Sequence, residues 1–88
     1  MRLRVDLFLK LMGVTKTRMA AKRLCDMGKV LLSGKALKPS QEVEGGETLE
    51  VLLPFREMTL KVLEVPPGKS VAKADRDRYF SVLSVKEL

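Results

Sequence analysis

The hydrophobic pattern of this chain changes period at Gly28, and that change limits the fold more than any other feature. Before Gly28, apolar residues recur at helical spacing. Val5, Phe8, Leu9 and Met12 stand at i, i+3, i+4 and i+7, which predicts one buried helical stripe over residues 5–12, stopped by Gly13. Thr15 and Thr17 offer capping hydroxyls for a second helix over residues 17–27, closed by Gly28. With a turn of about 100° per residue, Ala20, Ala21, Leu24 and Met27 fall on one side of it, and Arg18 and Lys22 on the other. The short alanines at the contact allow the two helices to approach closely.

After Gly28 the spacing is that of strands. Lys29-Val30-Leu31-Leu32 and Lys35-Ala36-Leu37 flank Ser33-Gly34, predicting a tight hairpin whose turn type stays open. Lys38-Pro39-Ser40 leaves that hairpin, and Glu44-Gly45-Gly46-Glu47 reads as another turn. A strand follows over residues 48–53 and ends at Pro54. Met58, Leu60 and Val62 alternate with Thr59 and Lys61 in a further strand over residues 58–65. Pro66-Pro67-Gly68 opens a polar loop, and residues 79–83 return as a last strand. There is no internal repeat. The expected class is α+β: two amino-terminal helices followed by a small, mostly antiparallel sheet.

Eighty-eight residues allow one small domain with a modest core. No apolar run approaches the roughly 20 residues of a membrane helix, and the start lacks the form of a secretory signal. Cys25, the single cysteine, cannot form an internal disulfide, which fits a reducing cytoplasm. The absence of histidine removes the commonest acid/base catalyst and metal ligand. A protein that is not an enzyme and carries no metal or cofactor is expected. Gly68-Lys69-Ser70 resembles the end of a phosphate-cradling loop, but the earlier glycine it requires would be at position 63, which is Leu63. Cys25 has no histidine partner and reads as a structural thiol, and the five methionines as core filling.

Charge is polarised along the chain. The first forty residues hold ten Lys and Arg against two acids, Asp6 and Asp26, a net +8. The remaining forty-eight hold seven against nine, a net −2, giving +6 for the whole. Arg18 and Lys22 share a face of the second helix, and Lys16 and Arg23 lie near its start and flank. Lys29 follows the terminating glycine, and Lys35 and Lys38 lie on the hairpin and its exit. Cations on a helix and an adjoining hairpin can meet several phosphates in fixed register, each releasing a counterion. The second helix sets Arg18, Lys22 and Arg23 against one acid, Asp26, so a merely solvated basic face is the weaker account. Only Phe8, Phe55, Tyr79 and Phe80 are aromatic, too few for a base-stacking platform. The pattern favours folded RNA recognised by shape and phosphate contacts.

The order of these elements resembles the S4 RNA-binding domain family. The resemblance rests on Arg4-Val5-Asp6-Leu7-Phe8-Leu9, then Thr17-Arg18 with Ala21 and Leu24. It continues through Gly28-Lys29-Val30, Ser33-Gly34, Lys38-Pro39-Ser40, Val43, Gly46-Glu47 and Val51. It implies an S4-like (alpha-L) fold over residues 1–53, with residues 54–88 as a strand extension packed on the same domain. It also implies that Arg4 and Arg18 belong to the RNA-binding surface, with Lys22, Lys29 and Lys38 as neighbours, and that Asp6 orients Arg4 or caps the first helix. The chain departs from the family where Leu7 replaces a basic residue, Ser33 an asparagine and Glu47 an aspartate. It is similar to the short stand-alone members, the heat shock protein 15 and ribosome-associated quality-control factor P types. A chain ending at Leu88 without a long basic tail points to the second type. Such a resemblance implies a cytoplasmic monomer on the large ribosomal subunit, with ribosomal RNA as partner and transfer RNA as a further candidate. Two other readings stand beside it. One is a protein-interaction module docking through the acidic carboxy-terminal strands or exposed Leu7 and Leu11. The other is the RNA-holding accessory of a separate RNA-modifying enzyme.

Overall fold

The computed structural model of the chain describes residues 2–67 and 70–88. Gly68 and Lys69, of the loop that fails as a phosphate cradle, lie outside the described residues. Strand β1 (Arg2–Arg4) runs directly into helix α1 (Val5–Leu11), and helix α2 spans Arg18–Asp26. Strands β2 (Val30–Leu32), β3 (Lys35–Ala36), β4 (Glu42–Glu44), β5 (Thr48–Leu53) and β6 (Arg56–Val62) follow. A 3-10 helix (Lys73–Arg78) and strand β7 (Phe80–Glu87) complete the chain.

Both helices are held at their ends by contacts that their sequences make possible. Thr17 is extended, and its Oγ1 accepts from the Ala20 N–H at 3.1 Å, capping α2. Thr15 Oγ1 donates to the Thr17 carbonyl at 2.9 Å, which braces that cap. At the start of α1 the Val5 N–H donates to the Gln41 carbonyl at 2.8 Å, and the Asp6 N–H to Pro39 at 3.4 Å. The third free donor, the Leu7 N–H, is taken by Asp6 Oδ1 at 2.7 Å. The first turn of α1 is therefore docked on the segment that leaves the hairpin.

Five strands form one antiparallel sheet in the order β3-β2-β5-β6-β7, and β1 pairs with β4 in a separate two-stranded sheet. The β2–β3 turn is settled by its backbone. Ser33 (φ 52°) and Gly34 (φ 79°) both lie in the left-handed region, as a type I′ hairpin demands. Pro54-Phe55 forms the tight link between β5 and β6, where Leu53 pairs with Arg56. Alternation along β5 and β6 turns Leu49, Val51, Leu60 and Val62 inward, against Val5, Phe8 and Leu9 of α1 and Ala21 and Cys25 of α2. Among the described residues no buried side-chain polar atom lacks a partner.

The structure corrects several expectations. Strands β1 and β4 were not foreseen, because three residues carry too little periodicity and their pairing is long-range. The strand expected over residues 58–65 begins at Arg56 and ends at Val62, and the last strand continues to Glu87. The polar loop contains a 3-10 helix. On α2, Met27 is 60% exposed, whereas Cys25 is buried beside Ala21. Residues 21 and 25 are four apart and define the contact stripe, from which position 27 has turned away. Leu11 is buried and Leu7 half-buried, so neither is a free docking residue. The exposed large apolar side chains include Phe55, Leu83 and Leu88, on the carboxy-terminal part of the sheet and its turn.

Phe8 is fully buried between the helices and the sheet. Phe8→Ala is expected to cost about 3–5 kcal/mol, against the ~5–15 kcal/mol typical of a whole domain. Urea unfolding followed by circular dichroism will show the loss as a lower midpoint.

Candidate RNA-binding surface

The centre of the basic surface is an acid. Asp6 enters α1 at its second position, so its side chain points across the first turn towards α2. The carboxylate is only 3% exposed. Arg4 Nε donates to Asp6 Oδ1 at 3.2 Å and Arg4 Nη2 to Oδ2 at 3.0 Å. Arg18 Nε approaches the same Oδ2 at 3.4 Å from the first turn of α2. One buried carboxylate thus holds two guanidiniums, one from the residue before α1 and one from the first residue of α2, while each side chain keeps nearly half its surface in solvent. Asp6 orients Arg4, but it is not the cap of α1: the N-cap is Arg4, with no side-chain cap bond, and Asp6 accepts from the N–H of the next residue, Leu7.

The arginines lose freedom through this arrangement without losing their outward N–H groups. A guanidinium has five donors; Asp6 accepts from two on Arg4, and is ion-paired with Arg18 through its Nε edge. The half-exposed remainder of each guanidinium can meet a phosphate in the forked geometry that arginine prefers. Arg18 lies three residues before Ala21, so it is rotated only about 60° from the buried stripe. It therefore flanks the helix contact and does not stand opposite to it, which is why it reaches Asp6.

The other expected residues divide into groups. Lys22 joins Arg4, Asp6, Arg18 and Met19 around one shallow groove. Lys38 is exposed on the turn that docks the start of α1, with its N–H donating to Gln41 Oε1 at 2.7 Å. Lys16 and Arg23 line a different recess, with Val14, Leu24 and Leu53. Lys29 is half-buried just before β2, and Lys35 is exposed on β3, at an edge of the sheet. Sequence reasoning missed Met19, exposed within the first groove, and the cations Lys10, Lys73 and Arg76. Lys73 and Arg76 are more than fifty residues away from Lys10 and Lys16 in the chain, so only folding brings them together.

Cys25 lies under this surface. Burial pushes its thiol from the ordinary 9.0 up to about 11, with the charges of Asp6 and Asp26 adding to the shift. No group among the described residues is placed to activate it, and no cluster of acids, cysteine and histidine there could hold a metal.

A buried carboxylate that presents two half-exposed arginines between two short helices, with a hairpin following, defines a nucleic-acid-binding module of the α+β class. The S4 domain model matches residues 3–49, and the chain belongs to the S4 family of RNA-binding domains. Over 81 residues it is 36% identical to the RQC P-site tRNA stabilizing factor of Helicobacter pylori (strain J99), spanning 90% of this chain and 94% of that protein. The factor of the same name from Bacillus subtilis (strain 168) is 28% identical over 86 residues, 98% of each chain. Among solved structures, a trimeric Vibrio cholerae heat shock protein 15 superposes with a TM-score of 0.84 over 96% of this chain and 84% of that one, at 23% identity. A hypothetical protein solved in solution superposes at 0.81 over 93% of this chain and 98% of that one, at 30% identity.

Two outcomes follow from this geometry. Asp6→Asn keeps the oxygen that accepts from Leu7 but removes the charge that holds both guanidiniums. The Nε–H resonances of Arg4 and Arg18, slowed in exchange by the contact, are expected to broaden together in that variant. The raised thiol pKa leaves Cys25 with about a hundredfold less thiolate than an ordinary cysteine near pH 8. Its reaction with a disulfide reagent should be correspondingly slow until the protein is unfolded. The same shift means that the unfolded chain ionises first, so stability falls as pH rises from about 9 towards about 11.

Proposed function

We propose that this protein is a non-catalytic RNA-binding factor of the large ribosomal subunit, acting in ribosome-associated quality control. The observation that carries this reading is the pair of arginines preorganised on Asp6, inside the segment that matches the S4 domain. A loose arginine must give up side-chain entropy when it meets a phosphate, whereas Arg4 and Arg18 have already given up much of it. Near full-length similarity to proteins named as P-site tRNA stabilizing factors supports the ribosomal setting and adds transfer RNA to ribosomal RNA as a partner. Arg4, Arg18, Lys22 and Lys38 form the main contact, and Lys16, Arg23, Lys29 and Lys35 extend it. Residues 1–53 constitute the binding domain, and residues 54–88 extend its sheet. The net charge of +6 disfavours self-association, in keeping with a cytoplasmic monomer.

Filter binding to large-subunit ribosomal RNA across a salt series tests the reading. Wild-type affinity is expected to fall steeply with salt, and Arg4→Ala with Arg18→Ala to lower the slope of log K against log salt by roughly 1.5. Asp6→Asn is the sharper variant. It makes the protein more positive, so a mere attraction to polyanions would strengthen, yet loss of preorganisation should weaken binding. Equal affinity for the wild type and the double variant would refute the RNA surface. In sucrose gradients the protein should sediment with large subunits, and recovery only at the top in low salt would refute the ribosomal assignment.

A further inference from the structure

The far end of α1 carries a second basic cleft, one wall of which, residues 70–76, lies outside the S4 match. Residues 70–76 fold back over the α1–α2 junction, and the space between them, about 390 Å³, is lined by Lys10, Gly13, Lys16, Lys73 and Arg76. Each cation reaches the cleft for a separate structural reason. Lys10 lies in the last turn of α1, and Lys16 in the link to α2. The 3-10 helix places residues three apart on one face, so Lys73 and Arg76 point together while Asp75 and Asp77 fall on the other two.

Arg76 is fixed within this cleft. Its Nε donates to the Leu11 carbonyl at 3.1 Å, one of the orphan acceptors at the end of α1. Gly13, at φ +75°, makes room for it, since a Cβ there would fall on the guanidinium itself. One edge of Arg76 is thereby anchored, and its remaining donors have no hydrogen-bond partner among the described residues. None of Lys10, Lys16, Lys73 or Arg76 forms an ion pair among the described residues. Four cations facing one open space without a counter-charge repel one another, and an anion relieves that repulsion.

We propose that this cleft is a second phosphate-binding site, which takes the sugar–phosphate backbone of RNA separately from the Arg4–Asp6–Arg18 cluster. The two sites stand at opposite ends of α1, a seven-residue helix roughly 10 Å long, so one phosphate cannot serve both. The volume accommodates a phosphate together with several of its hydrating waters, each of which takes about 30 Å³ in the liquid. The carboxy-terminal segment, acidic on the whole, thus contributes its cations to the binding face at one point. The inference rests on the RNA-binding reading and adds a site to it.

The test uses Lys10→Ala with Lys73→Ala, both exposed, leaving Arg76 and its anchoring bond intact. Binding to a large-subunit ribosomal RNA hairpin is measured across a salt series beside Arg4→Ala with Arg18→Ala. The salt slope is expected to fall by roughly 1.5 in each double variant and by about twice that in the quadruple one. A Lys10/Lys73 variant that binds as the wild type does, while the Arg4/Arg18 variant weakens, would overturn the second site and leave the first standing. If both variants match the wild type, the RNA-binding reading fails as well. In amide spectra, the RNA hairpin is expected to shift Gly13 in the wild type and not in the Lys10/Lys73 variant. A Gly13 shift with inorganic phosphate but none with RNA would assign the cleft to a free anion and overturn the proposal.

Discussion

The contact between Asp6 and the two arginines decides how this molecule is organised. A carboxylate almost wholly out of water is costly unless it is paired and hydrogen-bonded; here Arg4 and the Leu7 N–H donate to it and Arg18 adds a second ion pair. Exposed ion pairs contribute about 0–1 kcal/mol, whereas removing one partner from a buried pair can cost about 3–5 kcal/mol. The cluster lies between these limits, because the acid is buried and the bases are half in solvent. Its structural effect is definite: β1, α1 and α2 are tied at one point, and the tie faces outward.

Helix α1 shows how little of this arrangement is local. Seven residues are too few for a helix stable in water by itself. Its first donors are taken by Gln41, Pro39 and its own Asp6, and a carbonyl near its end by Arg76, sixty-five residues away in the chain. Its apolar stripe of Val5, Phe8 and Leu9 is packed fully into the core. The two ends that needed polar partners are also the two ends where the cations collect. At the start Asp6 takes a backbone donor and holds the two arginines, and at the end Arg76 fills a carbonyl while presenting its own charge.

The sheet has a corresponding division of labour. Strands β2 and β5 lie within or overlap the S4 match, and β6 and β7 extend the same sheet beyond it. Leu60 and Val62 of β6 close the core below α1, so the extension contributes packing as well as the 3-10 helix. The charge asymmetry of the chain therefore does not separate a binding part from an inert part. A segment with a net negative charge still sends Lys73 and Arg76 to a basic cleft.

What the sequence determined by itself was whatever depends on neighbours within a few residues. The stripe of α1, the Thr17 cap, the Ser33-Gly34 turn and the strand over residues 48–53 follow from periodicity, capping and turn chemistry, which act locally. The concentration of charge before residue 40 was likewise plain, as was the likeness to the S4 family. Tertiary structure alone decided the pairing of β1 with β4, the burial of Cys25 in place of Met27, and the separation of Lys16 and Arg23 from the Arg4 groove. It alone brought Lys10 and Lys16 to Lys73 and Arg76. These outcomes depend on contacts between residues far apart in the chain, and no local pattern records a partner that is chosen only when the core closes.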